Sequence, residues 1–113
     1  MRELKAYLRR SMLEPVMRAL HDAGVQRIVV GEVHSFGTGM DPQHWRLSMD
    51  AGGQYTEHIK LEIVCAEGDT DKLAALILAK ARTGTPGDGI IFVSPVVRAI
   101  KIRTGVEGPE AIS

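Results

Sequence analysis

The chain has 113 residues, of which 44% are hydrophobic and 25% charged. A chain of this length predicts a single domain, residues 1–113, with a core of modest size. Its 14 Lys and Arg residues balance 14 Asp and Glu residues, so no overall field favours binding to nucleic acid or to a membrane surface, and any affinity for anions must be local.

The sequence carries one cysteine, Cys65, which lies in an apolar run and cannot form a disulfide within one chain. The first residues lack the apolar centre of a signal peptide, and no stretch is long enough to span a bilayer. These features predict a cytoplasmic protein.

The first half of the chain predicts a strand, a helix and a strand. Residues 4–8 alternate weakly between apolar and polar and predict the first strand. Ser11 and Glu14 form a capping-box pattern that predicts the start of a helix, and Gly24 predicts its end. The β-branched residues within 25–36 are typical of a buried strand.

The second half repeats this order after a long interruption. Residues 35–54 are rich in Gly and Asp and have no apolar period, which predicts a long functional or mobile loop. Clean alternation predicts a strand over 58–65, and helical spacing predicts a helix that opens at 68–70 and ends before Gly84. Residues 90–97 and 100–103 predict two further strands.

This order, β-α-β twice, predicts an α+β fold of the ferredoxin-like type. The expected architecture is a four-stranded antiparallel sheet with two helices on one face. Because no local element covers the other face, we expect several copies of the chain to associate and bury it.

Residues 81–89 are the most informative segment, because they place three glycines and a proline between a predicted helix and a predicted strand. Such a segment is either an ordinary turn or a loop whose backbone N–H groups bind an anion. Lys101 and Arg103 occupy alternate positions of the predicted last strand, which would put two cations on one face. Together the loop and the cations favour a ligand that carries phosphate.

The chain resembles the PII signal-transduction family along essentially its whole length. The resemblance depends on Ala-Arg-Thr-Gly at 81–84, Gly-Asp-Gly at 87–89, Ile-Phe-Val at 91–93, and Ile-Arg-Thr-Gly at 102–105. It implies a homotrimer that binds an adenine nucleotide in each cleft between subunits. It also implies a regulatory protein, not an enzyme, that contacts a membrane transporter or a metabolic enzyme through a flexible T-loop, here about residues 37–55.

The resemblance implies a set of nucleotide-binding positions. The backbone N–H groups of Gly87, Asp88 and Gly89 would hold phosphate, and Lys101 and Arg103 would meet phosphate from the neighbouring subunit. Glu62 and Val64 would contact adenine, while Phe36 and Gly37 would lie beside the nucleotide at the root of the T-loop.

Several positions depart from the family pattern. Ile90 replaces a phosphate-binding lysine, Thr38 an arginine and Gly39 a glutamine, while His58 stands where a lysine meets 2-oxoglutarate. Each loss removes a charge-assisted or polar contact, so we expect ADP or AMP to bind at least as well as ATP, without a response to 2-oxoglutarate. Ala51 stands at the tyrosine position, which excludes uridylylation there.

His34, His44 and His58 flank or lie within the long loop, but their spacing matches no zinc pattern, so no metal site is predicted. Trp45 is either an anchor for a partner or a side chain folded back on its own subunit.

An enzyme is the second class of function considered. Asp88 and Glu62 are the only acid and base candidates near the glycine loop. Arg9 and Arg10, between the first strand and the helix start, are expected to form a solvated pair.

The regulated partner is the least determined property. Arg46 is the only arginine in the long loop, whose sequence differs from the one the family uses on ammonium channels. PII-like proteins without 2-oxoglutarate chemistry are associated with other transporters, including those for bicarbonate, and some bind AMP or ADP together with bicarbonate. The resemblance therefore favours, narrowly, a role in inorganic-carbon transport over nitrogen regulation at an ammonium transporter.

Overall fold

The computed structural model describes residues 1–34 and 58–113. Its strands and α-helices, in chain order, are β1 (Arg2–Arg9), α1 (Leu13–Asp22), β2 (Val29–Val33), β3 (His58–Cys65), α2 (Thr70–Ala81) and β4 (Gly89–Pro95). The four strands form one antiparallel sheet in the order β2-β3-β1-β4. This confirms the predicted ferredoxin-like α+β fold, since each half contributes one βαβ unit.

Helices α1 and α2 pack on one face of this sheet and form the core with it. Alternate residues of β1 and β3 are buried, as a strand with one covered face requires. The buried apolar cluster consists of Leu4, Ala6, Leu8, Val16, Leu20, Leu61, Ile63, Cys65, Leu73, Ile77 and Ala81.

The opposite face of the sheet, which we call the open face, mixes apolar and charged side chains. Phe92 of β4 remains 51% exposed and packs edge-to-face on Tyr7 of β1, with ring centroids 6.2 Å apart. Lys60 lies 3.2 Å from Glu62 on β3, and Lys5 is the cross-strand neighbour of both Glu62 and Phe92. The open face is therefore not uniformly apolar.

The capping-box prediction at the start of α1 is wrong. A 3-10 turn over Arg10–Met12 precedes the helix, so Ser11 lies inside that turn. Met12 occupies the cap position and provides no side-chain bond to the helix. Glu14 instead pairs with Arg18 one turn later, at 2.6 Å.

The predicted end of α1 is confirmed. Gly24 adopts a φ of 92°, and its N–H donates to the carbonyl oxygen of His21 at 2.9 Å. A residue in this conformation closes the last helical turn at little cost only if it has no side chain.

The last predicted strand does not form. A single isolated pairing joins Ile100 to Glu107, and between them the chain reverses, with the Gly105 N–H donating to the Lys101 carbonyl at 2.7 Å. Gly105 has a φ of 73°, which supports this turn. Lys101 and Arg103 consequently lie in a turn and not on one face of a strand.

No helix within residues 1–34 and 58–113 has the length and apolar character to cross a membrane.

Candidate functional site

The Asp88 carboxylate organises the glycine loop. It accepts hydrogen bonds from the N–H of Thr83 at 2.9 Å and of Gly84 at 2.8 Å, and also from the Thr83 hydroxyl. The guanidinium of Arg9, at the end of β1, donates to it from Nε at 3.2 Å. Four donors thus converge on one side chain that is 23% exposed.

These contacts fix the charge of Asp88. The hydroxyl bond from Thr83 is the largest cause that holds the pKa of the Asp88 carboxyl well below its usual range; partial desolvation opposes it, and the two N–H groups and Arg9 add to it. Asp88 is therefore an ionised scaffold group at neutral pH. A carboxylate with four donors and a depressed pKa is poorly suited to accept a proton from a substrate.

The loop's own bonds decide which backbone donors are left for a ligand. The N–H groups of Thr83 and Gly84 are taken by Asp88, and that of Thr85 donates to the Thr83 hydroxyl at 3.2 Å. Pro86 has no N–H. The donors that these contacts leave begin at Gly87, the first of the three loop residues predicted to bind phosphate.

Two glycines of the loop are required by geometry. Gly89 has a φ of 103°, and a β-carbon there would lie 1.7 Å from the carbonyl oxygen of Tyr7. Gly87 has a φ of 96°, and its β-carbon would lie 3.0 Å from Nη2 of Arg9. The glycines thus let the loop approach β1 closely and adopt left-handed backbone angles.

Arg9 and His58 hold the other side of the loop. Nη2 of Arg9 donates to the carbonyl oxygen of Pro86 at 2.6 Å and to the Thr85 hydroxyl at 3.2 Å. Nε2 of His58 lies 2.8 Å from the carbonyl oxygen of Gly87, which can only accept, so the imidazole donates. The expectation of a solvated Arg9–Arg10 pair is wrong for Arg9, because Arg9 donates hydrogen bonds to this loop.

Arg10, in contrast, remains exposed to solvent, where it pairs with the exposed Glu32 of β2 at 2.6 Å. Arg9 is the functional residue that sequence reasoning missed. The signal that could have found it is strand pairing, because antiparallel β1 and β4 place Leu8 opposite Gly89 and so bring the end of β1 to the loop.

A cleft of about 650 Å³ lies at the other end of the sheet. Glu62 and Val64 of β3 both line it, together with residues 24–27 after α1 and part of the C-terminal segment, including Ile100. Glu62 is 26% exposed and lies 3.2 Å from the Lys60 ammonium. The two positions predicted to contact adenine thus share one cavity.

The glycine loop and this cleft occupy opposite ends of the sheet. The loop is held by Arg9 at the end of β1, whereas the C-terminal segment joins the start of β1, where the Val96 N–H donates to the Met1 carbonyl at 3.0 Å. The seven steps from Arg2 to Arg9 span about 23 Å. Lys101, whose ammonium lies 3.5 Å from the main-chain oxygen of Ser113, belongs with the cleft and not with the loop.

The structure therefore brings the predicted site residues together in two groups on one chain. Gly87, Asp88 and Gly89 form the first, and the second combines Glu62 and Val64 with the nearby turn that carries Lys101 and Arg103. Phe36 and Gly37 lie outside the described residues, as do His44 and Trp45.

Asp88 and Glu62, the acid and base candidates of an enzyme, do not lie close together within one chain. Glu62 lies four positions along β3 from His58, the side chain that touches the loop, a distance of about 13 Å. In the described part of the chain, no three His, Cys, Asp or Glu side chains cluster as a metal ion would need.

Comparison with known proteins agrees with this fold. The sequence model of the family described as Nitrogen regulatory protein P-II matches residues 1–106. The chain is 38% identical to the Nitrogen regulatory protein P-II of Nostoc punctiforme, over 99% of this chain and 100% of that protein. It is 37% identical to Nitrogen regulatory protein P-II 1 of Methanothermobacter thermautotrophicus, over 99% and 97%.

Among solved structures, PII of Arabidopsis thaliana bound to citrate superposes with a TM-score of 0.79 at 28% identity, covering 99% of this chain and 89% of that one. The double βαβ fold is thus shared with this solved structure, and the family model places the chain in a class of regulatory proteins. The chain belongs to the P-II family of nitrogen regulatory proteins.

Proposed function

We propose that this chain is a regulatory protein that binds an adenine nucleotide, ADP or AMP in preference to Mg-ATP, in clefts between the subunits of a homotrimer. The observation that carries the proposal is the separation of the two groups of site residues. Free backbone donors lie at one end of the sheet, while the cations Lys101 and Arg103 are attached to the other.

A phosphate must lie within hydrogen-bond distance of both groups to use them together. One chain holds them about 23 Å apart along β1, so a shared site requires a second copy of the chain. In a heterologous contact, the loop of one copy meets the cleft of the next copy. Such contacts close into a ring when the rotation between neighbouring copies is a simple fraction of a full turn. The open face exposes Phe92 at 51% and Ile90 at 53%, and these two side chains offer apolar area for that contact.

The cleft is suited to an adenine base. Val64 provides an apolar wall and Glu62 a carboxylate acceptor for an amino group, and both line the same cavity of about 650 Å³. Sites for small molecules of this kind are concave, mostly apolar and carry a few polar groups that fix orientation.

The composition of the loop supports a short phosphate chain. Arg9 is a cation beside the loop, but it is engaged with Asp88, Thr85 and Pro86. Ile90, which follows the last glycine, provides no charge. The triphosphate of ATP would therefore meet fewer charge-assisted contacts than its charge requires.

Isothermal titration calorimetry tests this preference. We expect ADP and AMP to bind at least as tightly as ATP, and we expect Mg²⁺ with 2-oxoglutarate to leave the ATP affinity unchanged. An Ile90→Lys variant is the matched control, because a restored lysine should strengthen ATP binding by ~1.5–3 kcal/mol. A large gain in ATP affinity for the unmodified protein on adding Mg²⁺ and 2-oxoglutarate would overturn the proposed preference.

The regulated partner is proposed to be a transporter or metabolic enzyme that contacts the segment 37–55. The losses at Thr38, Gly39 and His58 favour inorganic-carbon transport, with bicarbonate as a candidate second ligand. Regulation of nitrogen uptake at an ammonium transporter is the second candidate, favoured by relatives that carry the name Nitrogen regulatory protein P-II. Co-purification with each transporter, with and without ADP, separates the two.

A further inference from the structure

We propose that Arg9 and His58 act together as positioning residues that turn the glycine loop's amide donors toward the ligand. This inference rests on the proposed nucleotide site, since it explains how that site is pre-formed. The two residues are direct cross-strand partners in the β1–β3 ladder, so their side chains emerge side by side.

Their two acceptors are consecutive carbonyl groups. Arg9 donates to Pro86 at 2.6 Å and His58 to Gly87 at 2.8 Å. In a planar trans peptide the C=O and N–H bonds point in opposite directions. When both carbonyls face Arg9 and His58, the N–H groups of Gly87 and Asp88 must face away from them, on one common side.

Two successive N–H groups on the same side make a concavity that binds an anion. The left-handed angle at Gly87, with φ of 96°, is the backbone state that allows such a pair. Without donors on the carbonyl side, these peptide units could rotate, and the anion would have to order them on binding. Arg9 and His58 therefore lower the cost of ligand binding by ordering the loop beforehand.

The position of His58 adds a connection to the rest of the site. His58 is also the cross-strand partner of Val33, so the row Val33–His58–Arg9 crosses three strands at the edge where residues 35–57 join β2 to β3. The Arg9–His58 pair therefore lies at the strand ends that flank this segment.

The test compares His58→Phe, which removes the donor but keeps a planar ring, with His58→Gln, whose amide nitrogen can replace Nε2. ADP affinity measured by calorimetry should fall about three- to tenfold in His58→Phe and return close to the unmodified value in His58→Gln. His21→Phe on α1 is the control, because that histidine is 82% exposed and remote from the loop.

A second readout needs no ligand. Backbone ¹⁵N order parameters of Gly87 and Asp88 should be those of rigid backbone, about 0.85, in the unmodified protein and should fall toward about 0.6 in His58→Phe. Thermal unfolding of each variant identifies any that fails to fold, and Arg9→Met then repeats the test from the other donor.

The outcomes separate the two proposals. If the unmodified protein binds no adenine nucleotide, the proposed function fails, and the order parameters alone decide whether the loop is held as described. If ADP binds and His58→Phe binds it equally well, or if Gly87 and Asp88 stay rigid in that variant, the positioning role is wrong.

Discussion

Gly89→Ala should lower the free energy of unfolding by at least about 3 kcal/mol, the largest stability effect expected of any glycine substitution in the loop. The new β-carbon would lie 1.7 Å from the carbonyl oxygen of Tyr7 and 2.8 Å from its carbonyl carbon. Both are backbone atoms of β1, so no side-chain rotation can relieve the clash. The φ of 103° adds strain for any residue with a β-carbon.

Gly24→Ala provides the matched control for this prediction. Gly24 has a similar φ of 92°, but a β-carbon there would have no neighbour within 4 Å. Its substitution should therefore cost only the backbone strain, about 1–2 kcal/mol. Urea unfolding of both variants at one protein concentration measures the difference, and equal stability of the two would show that the close approach of the loop to Tyr7 is wrong.

Arg103→Ala should weaken ADP binding by ~1.5–3 kcal/mol, or roughly 10- to 150-fold. Arg103 lies in the exposed turn that closes at Gly105, where it makes no contribution to the core. In the proposed site its guanidinium would form a bidentate contact with a phosphate of the ligand at a neighbouring copy's loop. Arg103→Lys should recover part of the loss, since it restores the charge without the planar fork.

Arg18→Ala is the control for this substitution. It also removes an exposed arginine, which is paired with Glu14 on the outside of α1. ADP affinity in Arg18→Ala should equal that of the unmodified protein, and both variants should unfold at the same urea concentration as the parent. An unchanged affinity in Arg103→Ala would exclude this residue from the site.

The parts of the fold that the sequence predicts are those where local pattern and tertiary packing agree. Strand β3, His58–Cys65, shows strict alternation because one side chain in two enters the core, and it forms over the predicted residues. Helix α2 ends before Gly84 because the following residues cannot continue an apolar face.

Two failures have a common cause. The pattern at residues 100–103 satisfies the alternation of a strand, but a strand needs a partner along its length, and the turn at Gly105 allows a single pairing, Ile100 with Glu107. The capping box at Ser11 satisfies the sequence rule, yet the tight exit from β1 places a 3-10 turn there instead. Local patterns do not include the geometry that neighbouring strands impose.

The sequence predicts the glycine loop from the loop's own residues, but it does not predict that Arg9 and His58 hold the loop. Arg9 reaches Pro86 across 77 positions of the chain, and His58 reaches Gly87 across 29. Such contacts depend on the register of the sheet, which a reading of one local segment does not contain. Asp88 is a similar case: it was considered as a ligand contact or a base, and it is the centre of the loop's own hydrogen bonds.

The central claim is that each nucleotide cleft combines the glycine loop of one subunit with the cleft and cations of another. Gly87→Val, which places a branched side chain at a φ of 96° beside Arg9, should disable the loop alone, and Arg103→Ala should disable the cations alone. Each variant by itself should bind ADP weakly.

Mixed trimers of the two variants, separated by different affinity tags, test the claim most directly. In a closed ring of heterologous contacts, one cleft of each mixed trimer joins an intact loop to intact cations. Calorimetry should therefore recover one ADP site per mixed trimer with the affinity of the unmodified protein. Mixed trimers that bind ADP as weakly as either variant alone would contradict a cleft shared between subunits.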